Sequence, residues 1–227
     1  MSHHESNARG HDARLVDRML FFSDAVFAIV LTIMVLELHA PILEDKGLTE
    51  AASAQALWMA ILGEGRTLFA YLISFAIVGL WWSVHMRVTR AMHYFDWPSA
   101  ILNLVFMFTV TAIPFAASVL GDNITNNAAW ALYWGVNSAA SLTLTLLMFV
   151  VSRDGGRLIG GMGGRERAAR LLQAVGPGIG FAIGVWGAAN GIDMVSRFCW
   201  VIIMPISLLA RFIFRQPKPH EAPAADA

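Results

Sequence analysis

The chain has 227 residues, of which 57% are hydrophobic and only 14% charged, and its mean hydropathy is +0.58. These values exclude an ordinary soluble domain and indicate an integral membrane protein. Sixteen basic and sixteen acidic residues cancel to a formal net charge of zero, so no nucleic-acid partner is called for. The single Cys199 excludes a disulfide framework or a thiolate metal site within one chain.

Residues 1–15 are polar and carry His3, His4 and His11, and are expected to form a disordered cytoplasmic tail, the His3-His4 pair solvated rather than metal-binding. The first apolar run, residues 17–38, makes a helix of roughly 33 Å, enough to cross a hydrocarbon core of roughly 30 Å. It is too long for a signal-peptide core, and Glu37-Leu38-His39 does not resemble a cleavage site. Inside it lie Ser23 and Asp24. An acid at membrane depth is costly unless paired or watered, and asks for a functional explanation. With successive residues 100° apart, Phe22, Ala25, Ile29, Thr32, Ile33 and Leu36 fall on one stripe, and Asp24 points to nearly the opposite side. Such a stripe can face lipid, a packed neighbour, or its own copies around a symmetry axis.

Residues 40–65 form the longest outer loop, in which Thr49–Leu62 is predicted to make a short surface helix. Five further apolar runs follow at about 67–86, 98–120, 128–151, 170–188 and 192–214, giving an all-α fold of six transmembrane helices. The tail 216–227 is again expected to be disordered. Thirteen of the sixteen basic residues fall on one side of this layout: Arg9, Arg14 and Arg18 before the first run, Arg87 and Arg90 after the second, Arg153 to Arg170 between the fourth and fifth, and three after the sixth. The rule that cytoplasmic loops are positive places both termini in the cytoplasm of a cell whose plasma membrane the chain spans. The glycines of segment 155–164 are not followed by a Gly-Lys-Ser/Thr ending nor preceded by a strand pattern, so they read as a linker and not a phosphate cradle. No internal repeat is visible, which tilts against a self-contained inverted-repeat transporter.

The second run carries Trp81-Trp82-Ser83-Val84-His85 and the third carries Asn103, so an acid, an imidazole and an amide lie at membrane depth on three consecutive helices. Together they can lock those helices. Alternatively His85 and Asn103 satisfy backbone groups near the interface, Trp81 and Trp82 anchor there, and Arg18 snorkels to the surface. No nucleophile completes a catalytic site with Asp24 and His85, and no Gly-x-Ser-x-Gly or His-Glu-x-x-His occurs. An enzyme is not expected.

Arg18, Phe22-Ser23-Asp24, Ala28-Ile29, Thr32 and Leu36-Glu37-Leu38, with Trp81, Trp82, His85, Leu102-Asn103-Leu104 and Pro114-Phe115, resemble the transmembrane protein 175 family of endosomal and lysosomal potassium channels. The resemblance covers residues 18–120. It implies a short prokaryotic six-span member assembled as a homotetramer, with the first helices lining a central pore and no carbonyl selectivity filter. Ile29, Thr32, Ile33 and Leu36 would then form the pore constriction, Ile29 the narrowest point and Thr32 a potassium-preferring hydroxyl layer. Arg18, Phe22, Ser23, Asp24, Trp82, His85 and Asn103 would form a structural polar motif. Glu37, at the outer mouth, would concentrate cations or make a structural contact instead. The family often has Leu where this chain has Ile33, whose β-branched side chain is stiffer. The implied activity is a potassium channel with modest selectivity over sodium. No cofactor is expected beyond permeant K+ ions, and the partners are its own copies, membrane lipid and monovalent cations. Two rival readings stand beside it: a small proton-coupled secondary transporter using Asp24 and His85, and a purely structural membrane subunit.

Overall fold

A computed structural model of the chain describes residues 3–39, 41, 42, 47 and 49–201, with side chains from residue 14 onward. The described residues contain seven long or medium helices: α1 His3–Ile33, α2 Glu50–Gly63, α3 Gly65–Thr89, α4 Trp97–Thr111, α5 Ile113–Asp122, α6 Asn127–Val151 and α7 Gly164–Ala189. Residues 193–201 are also helical, α8. Among the described residues five segments are long and apolar enough to cross a membrane: Arg14–Glu37, Gly65–Thr89, Trp97–Asp122, Asn127–Val151 and Gly164–Ala189. The chain is an all-helical, multi-pass membrane protein. Most of the sixth run expected at 192–214, and the whole of 216–227, lie outside the described residues.

Several boundaries differ from the sequence reading for identifiable reasons. Residues 3–15, expected to be disordered, continue α1. They contain no proline, and extending an existing helix costs far less than nucleating one. At its other end α1 tightens into a 3-10 turn, Met34–Glu37, closed by Leu38 N–H on the Val35 carbonyl. The run 98–120 is not one helix. Pro114 has no N–H to give the Val110 carbonyl, so the span breaks at Ala112 into α4 and α5. The fifth span starts at Gly164, ahead of the expected 170, because Arg165–Arg170 forms a polar helical turn that the apolar run did not include. Helix α2 covers the segment expected at Thr49–Leu62, with Thr49 as its N-cap.

Helix α6 occupies the centre, packed against α4, α5 and α7, while α3 packs against α5 and α1. An aromatic core forms where α3, α6 and α7 meet. Phe181 stacks on Trp134 at 5.3 Å between ring centroids and tilts against Trp81 at 5.9 Å. Helix α7 approaches through small residues: a Cβ at Gly184 would lie 2.6 Å from Cys199 Sγ and 2.7 Å from Trp134 Cδ1, so only glycine admits this close packing. Trp134 Nε1–H in turn donates to the Ser196 carbonyl at 2.6 Å, joining α6 to α8. By contrast α1 is peripheral. Only 22% of its most apolar stretch is buried, against 50% for the Trp97–Asp122 span.

The loops at one end are knotted together. Arg153, after α6, forms an ion pair with Asp96, which caps α4 through a reciprocal bond with Ser99. His93 N–H donates to the Leu158 carbonyl at 2.8 Å, and Arg157 lies 5.8 Å over the Tyr94 ring. These ties place the α3–α4 and α6–α7 loops, with their arginines, at the same end of the bundle.

Candidate functional site

Helix α1 carries two faces of opposite character. Val16, Ser23, Phe27, Val30 and Met34 recur at helical spacing and are buried against α3, α4 and α5. Phe22, Ala25, Ile29, Thr32, Ile33 and Leu36 are all exposed, Ile29 at 55% and Leu36 at 73%. None of the described residues covers the stripe. Within it the Thr32 hydroxyl donates to the carbonyls of Ala28 and Ile29, each at 2.9 Å. Its one proton is thus directed into its own helix, and the lone pairs of Oγ1 are the polar feature turned outward.

The buried face is tied to its neighbours by polar bonds. Ser23 Oγ donates to the Met19 carbonyl at 2.9 Å and accepts from Asn103 Nδ2 at 3.0 Å. Asn103 Oδ1 then meets His85 Nε2 at 2.7 Å, so α1, α4 and α3 share one chain of hydrogen bonds. His85, Asn103 and Ser23 are each about 1% exposed. The His85 ring is stacked on Phe106 at 5.4 Å and tilted against Phe27 at 5.7 Å. Its Nδ1 has no hydrogen-bond partner. Beside this chain, Trp82 Nε1–H donates to Asp24 Oδ1 at 2.9 Å, which gives the half-buried acid a partner from α3.

The two tryptophans separate in role. Trp82 is 41% exposed, whereas Trp81 is fully buried and donates to Asn137 Oδ1 on α6 at 3.1 Å. Trp81 is therefore a core residue and not an interfacial anchor. Phe22 and Arg18 stand apart from the polar group: both are exposed, Phe22 on the far face of α1. The aromatic residue within the group is Phe27, one turn beyond Ser23 and on its side of the helix, a spacing that reading Ser23 and Asp24 forward by four and three residues would have revealed. Phe106, three residues after Asn103, follows by the same rule. Glu37, beside the stripe by helical count, sits in the 3-10 turn. Half-buried, it lines with Thr67, Tyr71 and Pro114 a narrow crevice among α1, α3 and α5.

Asn137 and the buried pair Ser74–Tyr133, whose hydroxyls lie 2.8 Å apart, were not singled out from the sequence. Scattered single hydroxyls and amides in long apolar runs give no periodic signal. Among the described residues no cluster of three or more metal-ligating side chains occurs.

The family described as "Endosomal/lysosomal potassium channel TMEM175" matches residues 18–114, which are α1 through the start of α5. A potassium channel of Streptomyces collinus is 28% identical over 142 residues, covering 61% of this chain and 65% of that protein. A potassium channel of Chamaesiphon minutus is 30% identical over 136 residues, covering 57% of this chain and 63% of that protein. An endosomal/lysosomal proton channel TMEM175 of Danio rerio is 34% identical over 104 residues, 45% of this chain but 18% of that larger protein. The matches thus span less than two thirds of these relatives. The crystal structure of a lysosomal potassium-selective channel TMEM175 homolog from Chamaesiphon minutus shares the fold, with a TM-score of 0.70 at 23% identity over 87% of this chain and 98% of that one.

Proposed function

We propose that this chain is a member of the TMEM175 family, which matches its residues 18–114, and that it assembles as a homotetrameric cation channel, the α1 helices of four copies lining one pore. The pore sits in a prokaryotic plasma membrane with both termini cytoplasmic, and it passes K+ with a modest preference over Na+. Four copies of the stripe then surround the axis, with Ile29 at the constriction, Ile33 and Leu36 on successive turns outward, and Thr32 as a ring of hydroxyls. A ring of apolar side chains gates by dewetting and sieves by width and hydration cost, which favours weakly hydrated cations.

The observation that carries this reading is the uncovered stripe with its single outward oxygen. Because the Thr32 proton is committed to the Ala28 and Ile29 carbonyls, the layer presents acceptors alone, and four of them suit a cation and repel an anion. The bonds among Ser23, Asp24, Trp82, His85 and Asn103 act behind the pore. They fix the rotation of α1 against α3 and α4, and so decide which side chains reach the axis.

A second reading, a proton-coupled carrier working through Asp24 and His85, is favoured by one observation, the vacant His85 Nδ1, a position at which a proton could be taken up. One experiment separates the two. Purified protein in a planar bilayer, with KCl on one side and NaCl on the other, is expected to give single-channel steps with a cation-selective reversal potential, and Ile29→Asn is expected to raise conductance and shift that potential. Silent bilayers from correctly assembled protein, together with proton-driven flux abolished by Asp24→Asn, would establish the carrier instead.

A further inference from the structure

Between α3, α6 and α7, at the end where the arginine-bearing loops are knotted, lies a cavity of about 290 Å³. That is at the low end of ligand pockets, which run from about 300 Å³, so it admits a headgroup and part of a chain but not a whole amphiphile. Its composition is layered. Arg87, in the last turn of α3, and Arg170, in the second turn of α7, stand at the outer rim; Leu80, Val84, Met148 and Pro177 form the walls further in. Seven residues of helix separate Arg87 from Leu80, which is about 10 Å of depth along the membrane normal. Two guanidinium groups over an apolar slot of that depth, opening at the basic membrane face, match the charge and layering of one kind of molecule.

We propose that this cavity binds an anionic phospholipid of the cytoplasmic leaflet, its phosphate held by Arg87 and Arg170 and the upper part of an acyl chain lying on Val84, Leu80 and Pro177. Both arginines are already engaged in this chain, Arg170 by donating to Glu166 at 2.6 Å. That contact is a partly exposed i,i+4 pair within one helix, of the kind that holds weakly, and a guanidinium has five N–H donors, so Arg170 can serve a second anion without releasing the first. Guanidinium forks are also suited to phosphate oxygens. Pro177 lies on the wall of this slot. With no N–H to give the Gln173 carbonyl, the proline interrupts the α7 ladder where that helix passes α3 and α6. A lipid seated here would bear on the α3 helix that also carries Trp82 and His85, the residues that hold α1. The site therefore offers lipid composition a route to the orientation of the stripe.

The proposal rests on the membrane-embedded placement and orientation of the chain and not on ion conduction, so it is tested without current recording. Detergent-purified protein would be examined by native mass spectrometry with added dioleoylphosphatidylglycerol or dioleoylphosphatidylcholine. The expected result is a phosphatidylglycerol adduct per subunit, weakened at least tenfold in Arg87→Gln/Arg170→Gln and unchanged in Arg90→Gln, an exposed arginine at the same end but outside the cavity. Val84→Trp, which fills the slot and keeps both arginines, is expected to weaken the adduct as well. Folding of each variant is read from its elution profile. Equal retention of the two lipids, or an undiminished adduct in the folded double glutamine variant, would overturn the proposal. So would full displacement by millimolar inorganic phosphate, which marks a soluble-anion site, or a changed copy number in place of a changed adduct, which marks a subunit contact.

Discussion

Replacing Asn103 by Leu separates the worth of the polar tie behind α1 from that of its packing. Leucine keeps the branching at Cγ, with methyl groups in place of the amide oxygen and nitrogen, and removes both bonds, the one from Nδ2 to Ser23 Oγ at 3.0 Å and the one between Oδ1 and His85 Nε2 at 2.7 Å. Ser23 keeps its bond to the Met19 carbonyl and loses little. His85 is in a different position, because its Nδ1 is already unpartnered and the change would leave the second nitrogen bare as well. An interhelical hydrogen bond in a membrane protein averages about 0.6 kcal/mol, but a buried polar group left without a partner costs about 1–3 kcal/mol. The orphaned imidazole sets the scale, so Asn103→Leu should lose about 1–3 kcal/mol, a five- to 150-fold fall in the folded-to-unfolded ratio. Adding His85→Phe should recover most of it, because the new ring can still stack between Phe27 and Phe106 and replacing both polar partners by apolar groups is nearly neutral. Denaturant titration in detergent, followed by tryptophan fluorescence, measures both variants. A single-variant loss below about 0.3 kcal/mol, or a double variant whose losses simply add, would refute the reasoning.

Trp81→Phe strands the Asn137 oxygen in the core and should cost about 1–3 kcal/mol, whereas Trp82→Phe leaves a half-exposed Asp24 that water can reach and should cost less; melting temperatures of the two variants give the order. Partial burial would raise the Asp96 carboxyl, but the Ser99 hydroxyl and amide and the Arg153 guanidinium outweigh it and hold the group below the ordinary aspartate range. A carboxylate with a lowered folded-state pKa adds stability that is fully present above its unfolded pKa of about 3.9 and is lost as pH falls through the folded value. Melting temperature should therefore drop on acidification below about pH 4, and Asp96→Asn should flatten that part of the profile; an unchanged slope would remove Asp96 from the account. Thr32→Val removes the outward oxygens at constant shape. It is expected to leave the melting temperature unchanged and to shift the K+/Na+ reversal potential, and an identical potential would take Thr32 out of the pore.

The two faces of α1 were legible because a 3.6-residue period acts on every residue of a long helix, and the angle between Ile29 and Asp24 follows from counting. Asp24, His85 and Asn103 were legible for a second reason: polar groups at membrane depth must find one another. Which pairs form was not legible. The sequence has Trp81 and Trp82 side by side, yet 100° of rotation sends one to Asn137 in the core and the other to Asp24 at the periphery. That choice depends on where α6 stands, and no local pattern records it. Phe22 shows the same limit from the other side. It adjoins Ser23 in sequence, but neighbours on a helix do not share a face, and Phe27 takes the place beside His85. Glu37 follows the structural alternative, lining a crevice with Thr67, Tyr71 and Pro114, and its exact direction was not legible because the winding changes to three residues per turn at Met34.

In a bilayer an exposed apolar side chain is not penalised, so the openness of Ile29 and Leu36 in one chain is as natural against lipid as around an axis. What distinguishes the two settings is how firmly the helix is held. A lipid-facing helix tolerates rotation, since every outward residue meets the same solvent. A pore helix does not, because a turn of a few tens of degrees replaces one ring of side chains by another. The bonds on α1 hold it against such rotation: Trp82 on Asp24 and Asn103 on Ser23 grip two consecutive residues from two different helices. Two anchors about 100° apart around one helix axis fix its rotation in a way that a single contact cannot. With Asp24 tied to α3 and Ser23 to α4, Ile29 has one direction available, and it is the side that the described residues leave bare.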